Sequence, residues 1–350
     1  MPEYLYFPTQ YVGPIKTLLL DANVTGHLDS IAQRGSSYPH STVRARMADL
    51  VRRLDEDVLV MPGLGAAESV IRREAEMSKV SNYHRRSENA MRLLVDDRAS
   101  LRAWLKGEDV LPTVYAPDTV EGSSGVLDKD LRIVRENLII PSYATLLKSY
   151  QLYLEQGDPV DAFKELELFA EELFSRGSRE LMLGALLLTG NSTGRQLALS
   201  IMKLHNEQDL KTTLDKLWNT SFDLTYSRVA RMPSLPELRT RFVQPAVFVT
   251  DDRNLGKLLA MIQPAGAMSH SRGGGLTADF VTLGKLVRED LIVEVAKIVS
   301  NSGEKAQQDR TDFQLVPRIR RYRSMKYCDD LEKWLADRYS VCSNVAASSS

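Results

Sequence analysis

Apolar positions recur along this chain at two different spacings, and the spacing decides which element each segment can form. Ile15 to Leu20 (IKTLLL) is a largely apolar run that stops abruptly at Asp21, as a strand buried on both faces of a parallel sheet does. Ala246 to Thr250 (AVFVT) is a second such run, β-branched and aromatic, stopping at Asp251 and Asp252. Val58 to Met61 (VLVM) predicts a shorter buried segment. Elsewhere the period is helical. Thr42 to Leu54 places apolar residues at 43, 47, 50, 51 and 54 with arginines on the other side. Pro62 and Gly63 break the chain before a helix expected from Leu64 to Lys79, since proline is tolerated only near a helix start. Helical periodicity returns over 82–105, 131–204 and 210–230, and Asp158-Pro159 predicts an N-cap followed by a first turn. Residues 107–125 read as loop, 276–300 as mostly amphipathic helix, 314–319 as a late strand and 346–350 as a fraying tail.

Buried strands among many helices predict an α/β core interrupted by a large helical insertion. The organisation expected is a first core segment over 1–81, a mainly helical insertion over 82–205, a second core segment over 206–265 and a C-terminal extension over 266–350. Composition narrows the function only a little. Lys and Arg number 45 against 46 Asp and Glu, so the net charge of -1 predicts no global attraction to nucleic acid or membrane, and any such surface must be local. Two cysteines, Cys328 and Cys342, are too few for a disulfide framework, which points to a reducing compartment. The start MPEYLYFPTQ has no cationic, apolar leader, and no run approaches the roughly 18 apolar residues of a spanning helix. A cytoplasmic protein without membrane attachment is expected.

The chemistry concentrates where the two strands end. In a parallel sheet, neighbouring strands direct their C-terminal ends to one crevice, where ligands bind. Asp21 would meet Asp251 and Asp252 there although more than two hundred residues separate them in sequence. Clustered carboxylates repel unless a cation is bound, and hard oxygen ligands select Mg²⁺ or Mn²⁺. Glu68, early in the helix after Pro62, and Asp223, flanked by Trp218, Phe222, Leu224 and Tyr226, are further acids suited to such a cluster.

LLLDANV at 18–24 resembles the opening strand motif of PIN-domain nucleases, and VFVTDDRNL at 247–255 resembles that family's late strand motif, Thr-x-Asp followed by a polar position. The resemblance covers residues 15–80 and 205–262. It implies a parallel sheet with helices on both faces and Mg²⁺- or Mn²⁺-dependent cleavage of phosphodiester bonds, most often in RNA. It assigns the four acidic positions to Asp21, Glu68, Asp223 and Asp252, with Asp251 competing for the late one. Thr250 would orient the late acid and Asn254 would fill the following polar position. PIN domains are usually compact, so the long interval between Glu68 and Asp223 implies the helical insertion. Many members are toxins or RNA-processing enzymes restrained by a protein partner. The sequence leaves such a partner, and self-association, open.

With metal doing the chemistry, no histidine base or serine nucleophile is required, which suits five scattered histidines. Arg318, Arg320, Arg321, Arg323 and Lys326, interleaved with Tyr322 and Tyr327, form the densest cationic cluster and a candidate nucleic-acid surface. Arg44, Arg46, Arg52 and Arg53 form a second strip, and Arg253 adjoins the late acids. Asp329, Asp330 and Glu332 offer the first cluster internal partners instead. Two other classes compete. One is an idle PIN-like interaction module. The other is a serine hydrolase using Ser192 of Gly190-Asn-Ser-Thr-Gly194, which needs Leu181–Leu188 to be a strand feeding a strand-to-helix elbow, where the period predicts helix.

Overall fold

The computed structural model describes residues 3–7, 13–35, 38, 41–74, 81–108, 124–173, 178–204, 209–229, 246–261, 263–268, 275–279, 283–299 and 317–348. The chain divides into two compact units, Met1–Arg132 with Tyr226–Lys257, and Ile133–Thr225 with Leu258–Ser350.

The first unit is α/β, with a four-stranded sheet flanked by helices. Strand β1 (Leu5–Phe7) leads to β2 (Ile15–Leu20), α1 (Ala22–Arg34), α2 (Ser41–Arg53), β3 (Leu54–Met61) and α3 (Gly63–Glu68). Helices α4 (Ser81–Met91) and α5 (Arg98–Leu105) follow, and β4 (Ala246–Thr250) returns from far along the chain. The spatial order is β1-β4-β2-β3. β2 runs parallel to both β3 and β4, with Leu18 opposite Val247 and Leu20 opposite Val249. The sheet is mixed where a wholly parallel one was expected, because β1 adds antiparallel to β4, pairing Leu5 with Thr250 and Phe7 with Phe248.

The apolar stripes are buried as their spacing predicts. Val43, Met47, Leu50, Val51 and Leu54 all face the interior, and Leu28, Ile31, Trp104 and Val249 share one core with Leu18 and Leu20. Helix α3 is much shorter than expected. The Ser69 hydroxyl donates to the Ala66 carbonyl (2.6 Å), as does its backbone N–H (3.1 Å), and this tight turn replaces continued α-helix. Between α4 and α5 the helix widens by one residue, the Asp97 N–H reaching back five residues to the Arg92 carbonyl (2.8 Å).

Buried acids fix the helices of this unit. Asp29 on α1 accepts from Arg85 (3.2 Å) and Asn89 (2.8 Å) on α4. Asp49 on α2 accepts from the Tyr6 hydroxyl (2.9 Å), from Arg53 Nε (2.9 Å) and from Arg52, while the Arg53 guanidinium lies 4.6 Å over the Tyr6 ring. Burial alone would raise the Asp49 carboxyl pKa, but hydrogen bonds from Tyr6, Arg53 and Arg52 outweigh it and hold the group below its ordinary value. A depressed folded-state pKa contributes stability that is present above the unfolded value near 4 and is lost as pH falls through the folded one. Acid titration of the melting temperature should therefore show Asp49→Asn less stable by about 2 kcal/mol at pH 7, with the difference closing below about pH 4.

The second unit is built mainly from helices α7 (Ile140–Glu155), α8 (Pro159–Glu172), α9 (Ser178–Thr189), α10 (Ser192–Ile201) and α11 (Leu210–Val229). Helix α6 (Ser124–Val134) enters it through a π-helical segment, Arg135–Ile139. Pro141 has no N–H for the Asn137 carbonyl, and the Ile140 N–H bonds instead to the Arg135 carbonyl five residues back. Asp158 caps α8, accepting from the Val160 (2.9 Å) and Asp161 (3.0 Å) amides. Helix α12 (Arg253–Met261) follows β4, and β5 (Gln263–Met268) then pairs antiparallel with β6 (Gly275–Asp279). The expected helix over 276–300 therefore begins as a strand, and among the described residues of that range α13 (Leu283–Leu286), a 3₁₀ turn at Glu289–Leu291 and α14 (292–299) are helical.

Helix α15 (Pro317–Ser348) lies along α7 and buries Ser324, Cys328, Leu331 and Leu335 at helical spacing. Its residues 317–319 replace the expected late strand, whose residues 314–316 lie outside the described part, as do residues 109–123 of the expected loop. Among the described residues no helix is long and apolar enough to cross a membrane.

Candidate functional site

The C-terminal ends of β2 and β4 lie side by side, and this adjacency builds the site. Asp21, 3 % exposed, takes over from β2 as the N-cap of α1, and its Oδ1 accepts from the Val24 N–H (2.8 Å). The Thr250 hydroxyl, 229 residues later, donates to Asp21 Oδ2. The same hydroxyl oxygen accepts from the Asp252 N–H (2.9 Å). A hydroxyl that accepts from one side directs its proton to the other. Thr250 thus joins the two motifs and fixes the Asp21 carboxylate, which gives the Thr-x-Asp spacing its physical meaning. Asp252 caps α12, Oδ1 accepting from the Asn254 (2.7 Å) and Leu255 (3.1 Å) amides. Asn254 serves here through its backbone.

Glu68 ends α3 and accepts from the Tyr226 hydroxyl (2.7 Å), which also lies 3.1 Å from the Leu64 carbonyl. Helix α3 comes unusually close to the end of β2. A Cβ on Gly65 would sit 2.5 Å from the Asp21 carbonyl oxygen and against Thr25 Oγ1, so only glycine fits. That carbonyl also receives the Thr25 N–H (3.0 Å) and hydroxyl (2.7 Å).

Asp251 has a different set of partners. Arg46 Nη1 on α2 donates to its Oδ1, and His27 Nε2 on α1 lies 3.9 Å from its Oδ2. The Tyr4 hydroxyl bonds to His27 Nδ1 (3.0 Å), the donor depending on the imidazole tautomer. Burial raises the Tyr4 pKa well above its ordinary value; the Asp251 and Asp21 carboxylates push it the same way and Arg46 opposes them. One buried hydroxyl therefore senses all three charges. Tyr4 and His27 were not expected at the site, and Arg46 was expected only as one of the cationic strip on α2. Tyr4 becomes visible only once β1 is seen to pair with β4, since Leu5 opposite Thr250 sets it beside the late acids, while His27 and Arg46 arrive with the docking of α1 and α2.

The remaining predicted residues have other settings. Asp223 belongs to the second unit, where its Oδ2 accepts from Lys203 Nζ (3.0 Å). In the arginine strip on α2, Arg44 stacks 4.2 Å from the Trp104 ring centroid and donates to the Trp104 carbonyl (2.7 Å), while Arg52 and Arg53 serve Asp49. Arg253 is exposed at the start of α12. On α15, Arg321 pairs with Glu136 (2.6 Å), whereas Tyr322, Arg323 and Lys326 are exposed and Tyr327 donates to Glu172 (2.5 Å). Arg318 and Arg320 lie in the first turn of this helix, their side chains outside the described part. Leu181–Leu188 is helix and Ser192 opens α10 behind an Asn191 N-cap, so the strand-to-helix elbow a serine nucleophile needs is replaced by a helix–turn–helix.

Among the described residues no group of three or more His, Cys, Asp or Glu side chains converges as a ready-made metal cage. The donors that do lie at this sheet edge are carboxylate oxygens, suited to a hard cation. A carboxylate offers roughly four acceptor sites, so accepting an N–H does not exclude cation binding. Mg²⁺ is ordinarily held by one or two carboxylates, waters and substrate phosphates. The donor chemistry fits such an ion. No family model matches this sequence, and neither a curated protein nor a solved structure matches it.

Proposed function

We propose that the protein is a metal-dependent nuclease of the PIN type, hydrolysing phosphodiester bonds, with RNA the favoured substrate by family resemblance. The observation that carries this reading is the Thr250–Asp21 hydrogen bond, which unites the two strand-end motifs at the C-terminal edge of parallel neighbours. Asp21 and Asp252 would hold Mg²⁺ or Mn²⁺; Glu68 and Asp223 enter through the resemblance alone. Such an ion supplies a bound water of lowered pKa and neutralises charge at the leaving oxygen. Thr250 holds Asp21 in one rotamer, the α12 amides orient Asp252, and Tyr226 orients Glu68. Arg323, Lys326 and Tyr322 on α15 are exposed and suited to backbone and base contact. A cytoplasmic setting and a restraining protein partner belong to the same reading.

The second reading, an interaction module without catalysis, is favoured by the internal hydrogen bonding of every acid at the sheet edge and by the absence of a three-acid group among the described residues. Calorimetry separates the two. Mn²⁺ at a hundred times its dissociation constant stabilises the folded state by about 2.7 kcal/mol, raising the melting temperature. An idle module gives no metal-dependent shift.

A further inference from the structure

Arg46 is the arginine of α2 that reaches the acids at the end of β4. Its side chain is 16 % exposed, and Nη1 meets Asp251, itself 22 % exposed, at the end of β4. Its Nε is buried and has no hydrogen-bond partner, a feature shared by Arg44, whose guanidinium is however seated on Trp104. A guanidinium has five donors in a planar fork, and an arginine kept only to neutralise a carboxylate ordinarily engages it with two parallel bonds. Here a donor is left over in a buried position, where an unmade bond is destabilising. Arg44, Arg52 and Arg53 on the same helix each have a packing partner or buried acid that explains them. Arg46 alone among these four points to the acids of the sheet edge.

We infer that Arg46 is a substrate-contacting residue: it rests on Asp251 in the unliganded protein and presents its unused donors to a non-bridging oxygen of the phosphodiester bound at Asp21 and Asp252. This rests on the nuclease reading and deepens it. In the unliganded state Arg46 offsets one negative charge beside the metal ligands. With a strand bound it stabilises the charge on the phosphorane-like transition state, where a prepositioned donor in a partly dry site is most effective. The two roles have opposite signatures. Removing the cation strengthens the field that attracts a divalent ion and removes the contact that holds the strand.

The experiment compares wild type, Arg46→Gln and Arg46→Lys. Mn²⁺ binding without nucleic acid is read by electron paramagnetic resonance, and binding of a labelled single-stranded RNA 12-mer is read by anisotropy in Ca²⁺, with KM and kcat measured in Mn²⁺. Arg46→Gln should bind Mn²⁺ at least as tightly as wild type, about threefold tighter on simple Coulomb grounds. It should bind the strand about tenfold to a hundredfold more weakly, with KM raised and kcat reduced. Arg46→Lys keeps the charge and loses the fork; its Mn²⁺ affinity should equal that of wild type while strand binding falls. If Arg46→Gln loses Mn²⁺ and strand binding together, or binds the strand as wild type does, the assignment is wrong while the nuclease reading stands. If wild type itself neither binds Mn²⁺ nor cleaves RNA, both fail.

Discussion

Asp21→Asn is expected to reduce metal-dependent cleavage by on the order of a thousandfold while leaving the protein folded. The substitution separates charge from shape. Asparagine is as good an N-cap as aspartate, so its Oδ1 can still accept the Val24 N–H that starts α1. Its Nδ2 then faces Thr250 Oγ1, an oxygen able to accept as well as donate. The cap, the sheet register and the link between β2 and β4 survive. What disappears is the negative charge of a 3 % exposed carboxylate at the strand end. The melting temperature without metal should stay within a few degrees of wild type, and relief of repulsion among the acids pushes it upward. The Mn²⁺-induced stabilisation should vanish. A variant that unfolds would mean that Asp21 is chiefly structural; one that cleaves normally would remove it from the site.

Gly65→Ala is the largest expected stability change that leaves charge untouched. The new methyl would lie 2.5 Å from the Asp21 carbonyl oxygen and against Thr25 Oγ1, and neither can yield cheaply. The carbonyl is fixed by two bonds from Thr25, and Asp21 N–H is bonded to the Val249 carbonyl (3.2 Å) across the sheet. Helix α3 must therefore move away from β2, a strain of about 2–3 kcal/mol, which lowers the melting temperature of this unit by about 4–10 °C. The same movement carries Glu68 away from the end of β2. Activity should fall in protein that remains folded at assay temperature. Gly26→Ala, inside α1 where nothing lies within 4 Å of the added carbon, is the matched control: it should leave activity unchanged and, by helix propensity, raise stability by about 0.5–1 kcal/mol.

How much the sequence reveals depends on the length scale of the interaction. β2 and β4 are legible because each is a short apolar run ending in a carboxylate, and the buried stripe of α2 because Val43, Met47, Leu50 and Val51 repeat at helical spacing, although Leu54, expected to close that helix, opens β3. β1 is not legible, since three residues carry no period, yet it is β1 that makes the sheet mixed and brings Tyr4 to Asp251. α3 is overestimated because apolar spacing continues past Ser69, while a local side-chain hydrogen bond ends the helix. The 275–279 strand is missed for a related reason: its five residues pair with β5 in a hairpin whose partner precedes it.

At the candidate site, the adjacency of the two strand ends follows from the apolar runs and parallel pairing together, whereas the donation from Thr250 to Asp21, where orientation of the late acid was expected, does not. Nor does the engagement of Asp251 by Arg46. An arginine on the polar side of an amphipathic helix looks like a solvated residue until the helix is docked. The strip of four arginines proves to be four separate ties, to Trp104, Asp251 and Asp49, and no continuous cationic track.

The central claim is that the sheet edge at Asp21 and Asp252 is a metal-dependent phosphodiesterase centre. Its most direct test is incubation of the purified wild-type protein with end-labelled single-stranded RNA and DNA in Mn²⁺ or in EDTA, beside Asp21→Asn. Fragmentation of RNA by the wild type in Mn²⁺, absent in EDTA and absent with Asp21→Asn, is the predicted result. Intact RNA and DNA in every lane, from protein whose melting temperature Mn²⁺ does not change, would contradict it.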